Sequence, residues 1–221
     1  KSVRNRLDKP MPLGYSNAGV VLESNHGNFR EGDRVVSNGP HAEIVNVPGM
    51  LCARIPDDVD YESAAFTVVG AVALQGIRLV QPALGENIAV VGAGLIGQIC
   101  IQLLHASGCR VFVVDTNEMR CEMAKEFGAI ALETTESSEI VDAAEHFSGG
   151  YGMDAVIIAA ATQSHSLIKT SAQISRKRGR IVLIGSVGLN LQREDFYKKE
   201  LTFQVSSSYG PGRYDSNYED G

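Results

Sequence analysis

Val90-Val91-Gly92-Ala93-Gly94-Leu95-Ile96-Gly97 carries three glycines in the spacing G-x-G-x-x-G. Each glycine has a chemical use. Gly92 permits a tight turn, Gly94 has no Cβ and lets the backbone approach a pyrophosphate, and Gly97 allows the following helix to pack closely on the preceding strand. The N–H groups of Leu95 and Ile96 then stand at the positive end of that helix, where they can bind a phosphate oxygen. A glycine-rich turn without a ligand is the alternative. Against it stands Asp115, which closes the next apolar run 18 residues after Gly97. A carboxylate there can accept both hydroxyls of an adenosine ribose and would repel a 2′-phosphate, which favours NAD(H) over NADP(H). Asp115 can also cap the next helix through Thr116 and Asn117, and the two roles are compatible. Arg120, on the first turn of that helix, is placed to cover an adenine face or to stand in solvent.

These residues need a scaffold, and the pattern supplies one. From Asn87 onward short apolar runs alternate with amphipathic segments. Strands are expected at residues 87–91, 110–114, 155–160, 180–184 and 201–206. Helices are expected at 94–106, 117–127, 138–147 and 164–175, with Gly108 and Gly128 closing the first two. Apolar strands alternating with helices imply a parallel sheet covered on both faces. Ala159 and Ala160 end one strand and Gly185-Ser186 follow another, on the side where cofactors bind in such sheets, so they join the candidate cofactor site. Upstream, residues 1–55 read as β: Ala18-Gly19-Val20-Val21-Leu22 and Arg34-Val35-Val36 are β-rich, residues 42–47 alternate, and Gly and Asn punctuate them. Asp60 can cap a helix starting near Tyr61, and helical character continues to Leu79 before Pro82.

Composition narrows the class. With 44% hydrophobic and 21% charged residues in 221, a sizeable core can form. Lys and Arg number 20 against 26 Asp and Glu, a net charge of −6, which argues against a nucleic-acid partner. Tryptophan is absent and aromatics make up 6%, against an aromatic-rich binding platform. Cys52, Cys100, Cys109 and Cys121 form no C-x-x-C pair and read as reduced thiols of a cytoplasmic protein. No apolar run approaches the ~18 residues of a membrane span, and Lys1 to Asp8 carries no signal-peptide core. The chain does not begin with Met and is expected to be a piece of a longer protein.

Several segments together resemble the medium-chain dehydrogenase/reductases, the zinc-type alcohol-dehydrogenase-like superfamily. Pro12-Leu13-Gly14-Tyr15-Ser16-Asn17-Ala18-Gly19-Val20-Val21 is similar to that family's G-H-E-x-x-G-x-V segment. Gly32-Asp33-Arg34-Val35 matches its G-D-R-V, and Ala42-Glu43 through Val47-Pro48 its A-E-x-x-x-V-P. Ile55-Pro56-Asp57 and Ala64-Ala65-Phe66 match the stretch before the cofactor domain. The resemblance implies an α/β fold in which a doubly wound Rossmann sheet accompanies part of a chaperonin-10-like β-barrel catalytic domain. It implies the partial catalytic domain at residues 1–70, the NAD-binding domain at 71–207, and the start of a return segment to the catalytic domain at 208–221.

The departures bear on mechanism. Zinc members carry His then Glu where this chain has Tyr15 and Ser16. Their further Cys or Glu ligand falls in a stretch that here reads Thr67-Val68-Val69-Gly70-Ala71-Val72-Ala73-Leu74. The four-cysteine loop expected after Val35 is replaced by residues 37–41. Zinc needs converging N, S or O ligands, so the chain is expected to be zinc-independent, with no metal residues; His26, His41, His105 and His146 are scattered singles. Tyr15 and Ser16 are then the candidate catalytic pair, Tyr15 as a hydrogen-bond donor to a substrate oxygen, with simple packing as its alternative. Thr162 and His165 are weighed against a helix cap by Thr162 or Ser164. Arg176-Lys177-Arg178 with Arg180 could form an anion site, but a solvated helix end is the expectation.

The stretches Phe196-Tyr197-Lys198-Lys199-Glu200-Leu201 and Val68-Val69-Gly70-Ala71-Val72-Ala73-Leu74-Gln75-Gly76 resemble two-part bacterial oxidoreductases in which such a domain is fused to a second dehydrogenase domain. The expected activity is hydride transfer between NAD(H) and an alcohol or carbonyl substrate, sugar-related substrates included, by a homodimer paired through the Rossmann domain. A dinucleotide-binding module with a decayed active site and a zinc-free quinone or enone reductase are the alternatives. Asp115 counts against the latter, whose members usually prefer NADP(H).

Overall fold

A computed structural model describes residues 12–215. These divide into two compact units just after Ala71, and the second runs Val72–Asp215.

In the first unit, β1 (Asn17–Val20), β2 (Arg34–Ser37) and β3 (Cys52–Arg54) form an antiparallel sheet in that order. The register sets Ala18 opposite Val36 and Val36 opposite Ala53. Val36, Ile55 and Ala64 make a small core, with Ala18 and Val59 against it. Asp33 holds the turn before β2, accepting from the Arg30 N–H at 2.9 Å and pairing with Arg54 at 2.9 Å. Asp60 caps α1 (Tyr61–Ala64) by accepting from the Ser63 N–H at 2.6 Å. The expected helix is interrupted after Ala64 and resumes as α2 (Thr67–Val80). The alternating stretch 42–47 is not a strand. It runs as bends with Ile44 72% exposed, because alternation yields a strand only where one face is buried and a neighbour completes the ladder.

In the second unit, six parallel strands lie in the order β6-β5-β4-β7-β8-β9. They are β4 (Asn87–Val91), β5 (Arg110–Asp115), β6 (Ile130–Glu133), β7 (Met153–Ile158), β8 (Ser175–Leu183) and β9 (Thr202–Val205). Helices α3 (Leu95–Ala106), α4 (Glu118–Glu126), α5 (Ser137–Phe147) and α6 (Ser166–Ile174) link the first five strands, and α7 (Arg193–Tyr197) precedes the last. Successive strand residues point to opposite faces, and the core obeys that rule. Ile88, Val90, Val111, Val113, Ala155 and Ile157 pack with Cys100, Ile101 and Leu104 of α3. Ala89, Val91, Phe112, Val114, Val156 and Ile158 pack with Ile140, Ala144, Ile168 and Ala172 of α5 and α6. Side chains such as Ile88, Ile101, Leu104 and Ile157, at 0% exposure, each contribute roughly 1.5–3 kcal/mol on burial. This is the expected α/β sheet wound on both faces.

Two expectations are corrected. Strand β6 lies between α4 and α5, where the sequence pattern predicts none. Residues 175–178 do not end a helix: β8 begins at Ser175, and Arg178 sits at φ 59. Of the cations there, Arg176 pairs with Asp154 and Glu86, and Arg180 with Glu86, while Lys177 and Arg178 are exposed on β8; the run lies on a strand and not at a helix end. Of the segment expected at 208–221, residues 216–221 lie outside the described residues. No helix among the described residues is long and apolar enough to cross a membrane.

Candidate functional site

The chain leaves β4 in one direction to form β5 and β6, and in the other to form β7, β8 and β9. The carboxyl ends of β4 and β7 therefore flank the point where the winding reverses, which is where open α/β sheets leave a crevice for ligands. The glycine turn sits there. Gly92 adopts φ +96, and a Cβ on it would lie 2.6 Å from the Ala160 N. Its N–H donates to Val114 O at 2.8 Å, and Ala159 N–H donates to Val91 O at 2.8 Å. A Cβ on Gly97 would lie 2.0 Å from Gly92 O, so α3 can seat against the turn only with glycine at that position. At Gly94 the same construction meets nothing within 4 Å. Gly92 and Gly97 are required by packing, while Gly94 opens onto free space, which is the room a pyrophosphate needs.

Gly94 is also the first boundary residue of α3, and no side chain caps this end. The first N–H groups of a helix have no intrahelical partner, so those of Leu95 and Ile96 are available to an anion. The Leu95 side chain itself is 53% exposed.

Asp115 ends β5 at 8% exposure. One carboxylate oxygen accepts from the Ala93 N–H at 2.6 Å and the other from the Asn117 N–H at 3.0 Å. Arg120 Nη1 lies 3.7 Å from Asp115 Oδ1 with its side chain 55% exposed. The capping of α4 falls to Asn117, whose side chain accepts from the Arg120 N–H at 3.1 Å. Each oxygen of an ionised carboxylate offers two lone pairs, so these contacts leave capacity for ribose hydroxyls.

The rim continues along the sheet. A Cβ on Gly185 would lie 2.1 Å from Ala160 O, and Ser186 N–H donates to Ala160 O at 3.0 Å while Ser186 O accepts from Thr162 N–H at 2.9 Å. Gly92, Ala159, Ala160, Gly185 and Ser186 thus form one continuous stretch of backbone. Ser164, not Thr162, accepts from the N–H of Ser166 at the start of α6, at 3.2 Å. Sequence reasoning missed Gln98, buried on α3, whose side-chain amide donates to Ala93 O at 3.2 Å and Arg120 O at 2.8 Å. A polar amide on an otherwise apolar helix face was the available signal.

Tyr15 and Ser16 belong to the first unit. The Tyr15 ring is 56% exposed, so it does not pack in a core, and Ser16 Oγ donates to Ala65 O.

The family model described as zinc-binding dehydrogenase matches residues 96–219. A curated relative, the (R,R)-butanediol dehydrogenase of Bacillus subtilis strain 168, is 26% identical over 92% of this chain and 70% of its own length. The D-xylulose reductase of Scheffersomyces stipitis is 27% identical over 97% of this chain and 72% of its own. Among solved structures, a mycobacterial protein complexed with NADPH shares the fold with a TM-score of 0.81 at 24% identity, over 95% of this chain and 69% of the other. The family's description names zinc, while Tyr15 offers a phenol and Ser16 a hydroxyl that is committed to the Ala65 carbonyl. No group of three or more His, Cys, Asp or Glu among the described residues could hold a metal.

Proposed function

The chain belongs to the zinc-binding dehydrogenase family, within the medium-chain dehydrogenase/reductase superfamily, and from that premise we propose an NAD(H)-dependent oxidoreductase that works without catalytic zinc. The observation that carries the reading is the Asp115 carboxylate, buried at the end of β5 and fixed by the Ala93 and Asn117 N–H groups. The bound dinucleotide would supply the hydride acceptor or donor. Asp115 would accept the adenosine ribose hydroxyls, with Arg120 over the adenine. Leu95 and Ile96 would donate to the pyrophosphate across Gly94, and the floor from Gly92 through Ala159, Ala160, Gly185 and Ser186 would line the path toward the nicotinamide. The NADPH of the mycobacterial fold relative does not transfer, because a 2′-phosphate would meet the Asp115 charge.

The substrate class proposed is a small alcohol or carbonyl compound, sugar-related substrates included. The relatives named for butanediol and D-xylulose support it. Tyr15 is proposed as the donor to the reacting oxygen in place of a metal, and Ser16, whose hydrogen is given to the Ala65 carbonyl, as an acceptor beside it. The same reading takes residues 1–70 as part of the catalytic domain, 71–207 as the cofactor domain and 208–221 as the start of the return segment. It takes the protein as cytoplasmic and as a homodimer paired through the cofactor domain, where β9 presents an edge with Val205 53% exposed. A second reading, a dinucleotide-binding module without turnover, is favoured by the loss of ligand types at Tyr15 and Ser16.

Incubation with NAD and a panel of polyols, sugars and simple alcohols separates the two. NADH formation with at least one of them is expected. Tight NAD binding without turnover of any alcohol, aldehyde or ketone, in a version extended at both ends, would leave the module reading.

A further inference from the structure

We propose that Gln98 is a positioning residue for the phosphate-binding turn: with Asp115 it clamps the two peptide units that flank Ala93 and so aims the amide donors that follow at a pyrophosphate. The inference deepens the dinucleotide-binding reading and rests on it.

Gln98 lies in the first turn and a half of α3 and is 7% exposed. Both of its partners, Ala93 O and Arg120 O, are carbonyl oxygens. Only the NH2 side of the amide can face them, so chemistry fixes the orientation of the group. The other atom, Oε1, is then left buried with no hydrogen-bond partner. A buried unpaired carbonyl oxygen is unfavourable for folding. A methionine or leucine would fill the same space on an apolar helix without that cost. The glutamine is thus a poor choice for packing alone, and its two donated bonds point to its use.

Those bonds act at a vulnerable place. Ala93 stands between Gly92, held at φ +96, and Gly94, which has open space about it. The two glycines leave the peptide units on either side of Ala93 free to rotate. Ala93 is nevertheless tied at both polar groups: its N–H donates to Asp115 Oδ2 at 2.6 Å and its carbonyl accepts from Gln98 at 3.2 Å. Fixing the Ala93 carbonyl fixes the orientation of the Gly94 amide bonded to it, and through it the entry into α3. The second bond, to Arg120 O at 2.8 Å, ties the same amide to the first turn of α4, whose Arg120 guanidinium lies beside Asp115. One side chain therefore couples the pyrophosphate turn to the element that carries the adenosine-side residues.

The test compares the unmutated protein with Gln98→Met and Gln98→Leu, both apolar and close in volume. Affinities for NAD, ADP-ribose and adenosine are measured by calorimetric titration or competition, and Tm by calorimetry. Losing two donated hydrogen bonds in the clamp is expected to weaken NAD and ADP-ribose about tenfold. Adenosine, which has no pyrophosphate, should lose less than either, and Tm should change little, because the orphaned oxygen is gone while the Ala93 carbonyl loses its partner. Variants that bind ADP-ribose as tightly as the unmutated protein would overturn the proposal. So would an equal loss for all three ligands with a lowered Tm, or failure of both variants to fold, since either would assign Gln98 to the fold itself. If the unmutated protein bound neither NAD nor ADP-ribose, the dinucleotide reading beneath the proposal would fail instead.

Discussion

The Asp115 carboxylate accepts a hydrogen bond from the Ala93 N–H at 2.6 Å, so the acid that ends β5 and the turn that follows β4 form one mechanical unit. A substitution at either end is felt at the other. Asp115→Ala removes a ribose acceptor and also releases the turn. We expect NAD affinity to fall by more than tenfold, about 1.4 kcal/mol or more. NADP should lose less, because the repulsion of its 2′-phosphate goes too, so the gap between the cofactors narrows. Titrations of both cofactors against the variant check this. An unchanged NAD affinity would contradict the shared role.

The three glycines of the turn should separate by mechanism. Gly97→Ala places a methyl 2.0 Å from Gly92 O, an overpacking expected to destabilise by roughly 1–3 kcal/mol. Gly92→Ala adds a positive φ to a clash with Ala160 and should be at least as damaging. Gly94→Ala has free space and should leave Tm nearly unchanged while weakening NAD. Thermal melts with parallel titrations check all three, and a large drop in Tm for Gly94→Ala would refute the assignment.

The cap of α1 predicts a pH dependence. Hydrogen bonds from the Ser63 backbone and side chain hold the Asp60 carboxyl below its usual range. A lowered carboxylate pKa stabilises the fold above the ordinary value, and the contribution disappears as pH falls through the lowered one. Asp60→Ala should therefore melt below the unmutated protein at neutral pH, and the two curves should converge in acid. A difference that persisted undiminished at low pH would mean that the charge is not the source.

Burial pushes the Cys100 thiol up to about 12 and raises Cys52, Cys109 and Cys121 as well. Cys52, the least buried of the four, should be alkylated first in the native protein, and Cys100 only on unfolding. Mass spectrometry after timed iodoacetamide treatment reads the order directly.

How much of this was legible beforehand depended on burial. Strand β4 and helix α3 were recoverable almost to the residue, because Ile88 to Val91 are buried on both faces and glycines mark the boundary. β6 was not, since only Ala131 and Leu132 of its four residues are even partly buried, too few for a periodic signal. Arg176 and Arg180 read as part of a cationic helix end because their partners, Glu86 and Asp154, are distant in sequence. The 42–47 stretch carried the alternation of a strand without a neighbour to complete it. In the site, the residues fixed by backbone geometry were legible: Gly92, Gly97 and Asp115. Gln98 was not, because its meaning lies in two carbonyls that only the fold brings to it.

The proposed function turns on Asp115 choosing the cofactor. The most direct test is calorimetric titration of the unmutated protein with NAD and NADP under identical salt. NAD is expected to bind at least about tenfold more tightly, the effect of a buried carboxylate meeting ribose hydroxyls in one case and a phosphate in the other. Equal affinities, or a preference for NADP, would contradict the assignment.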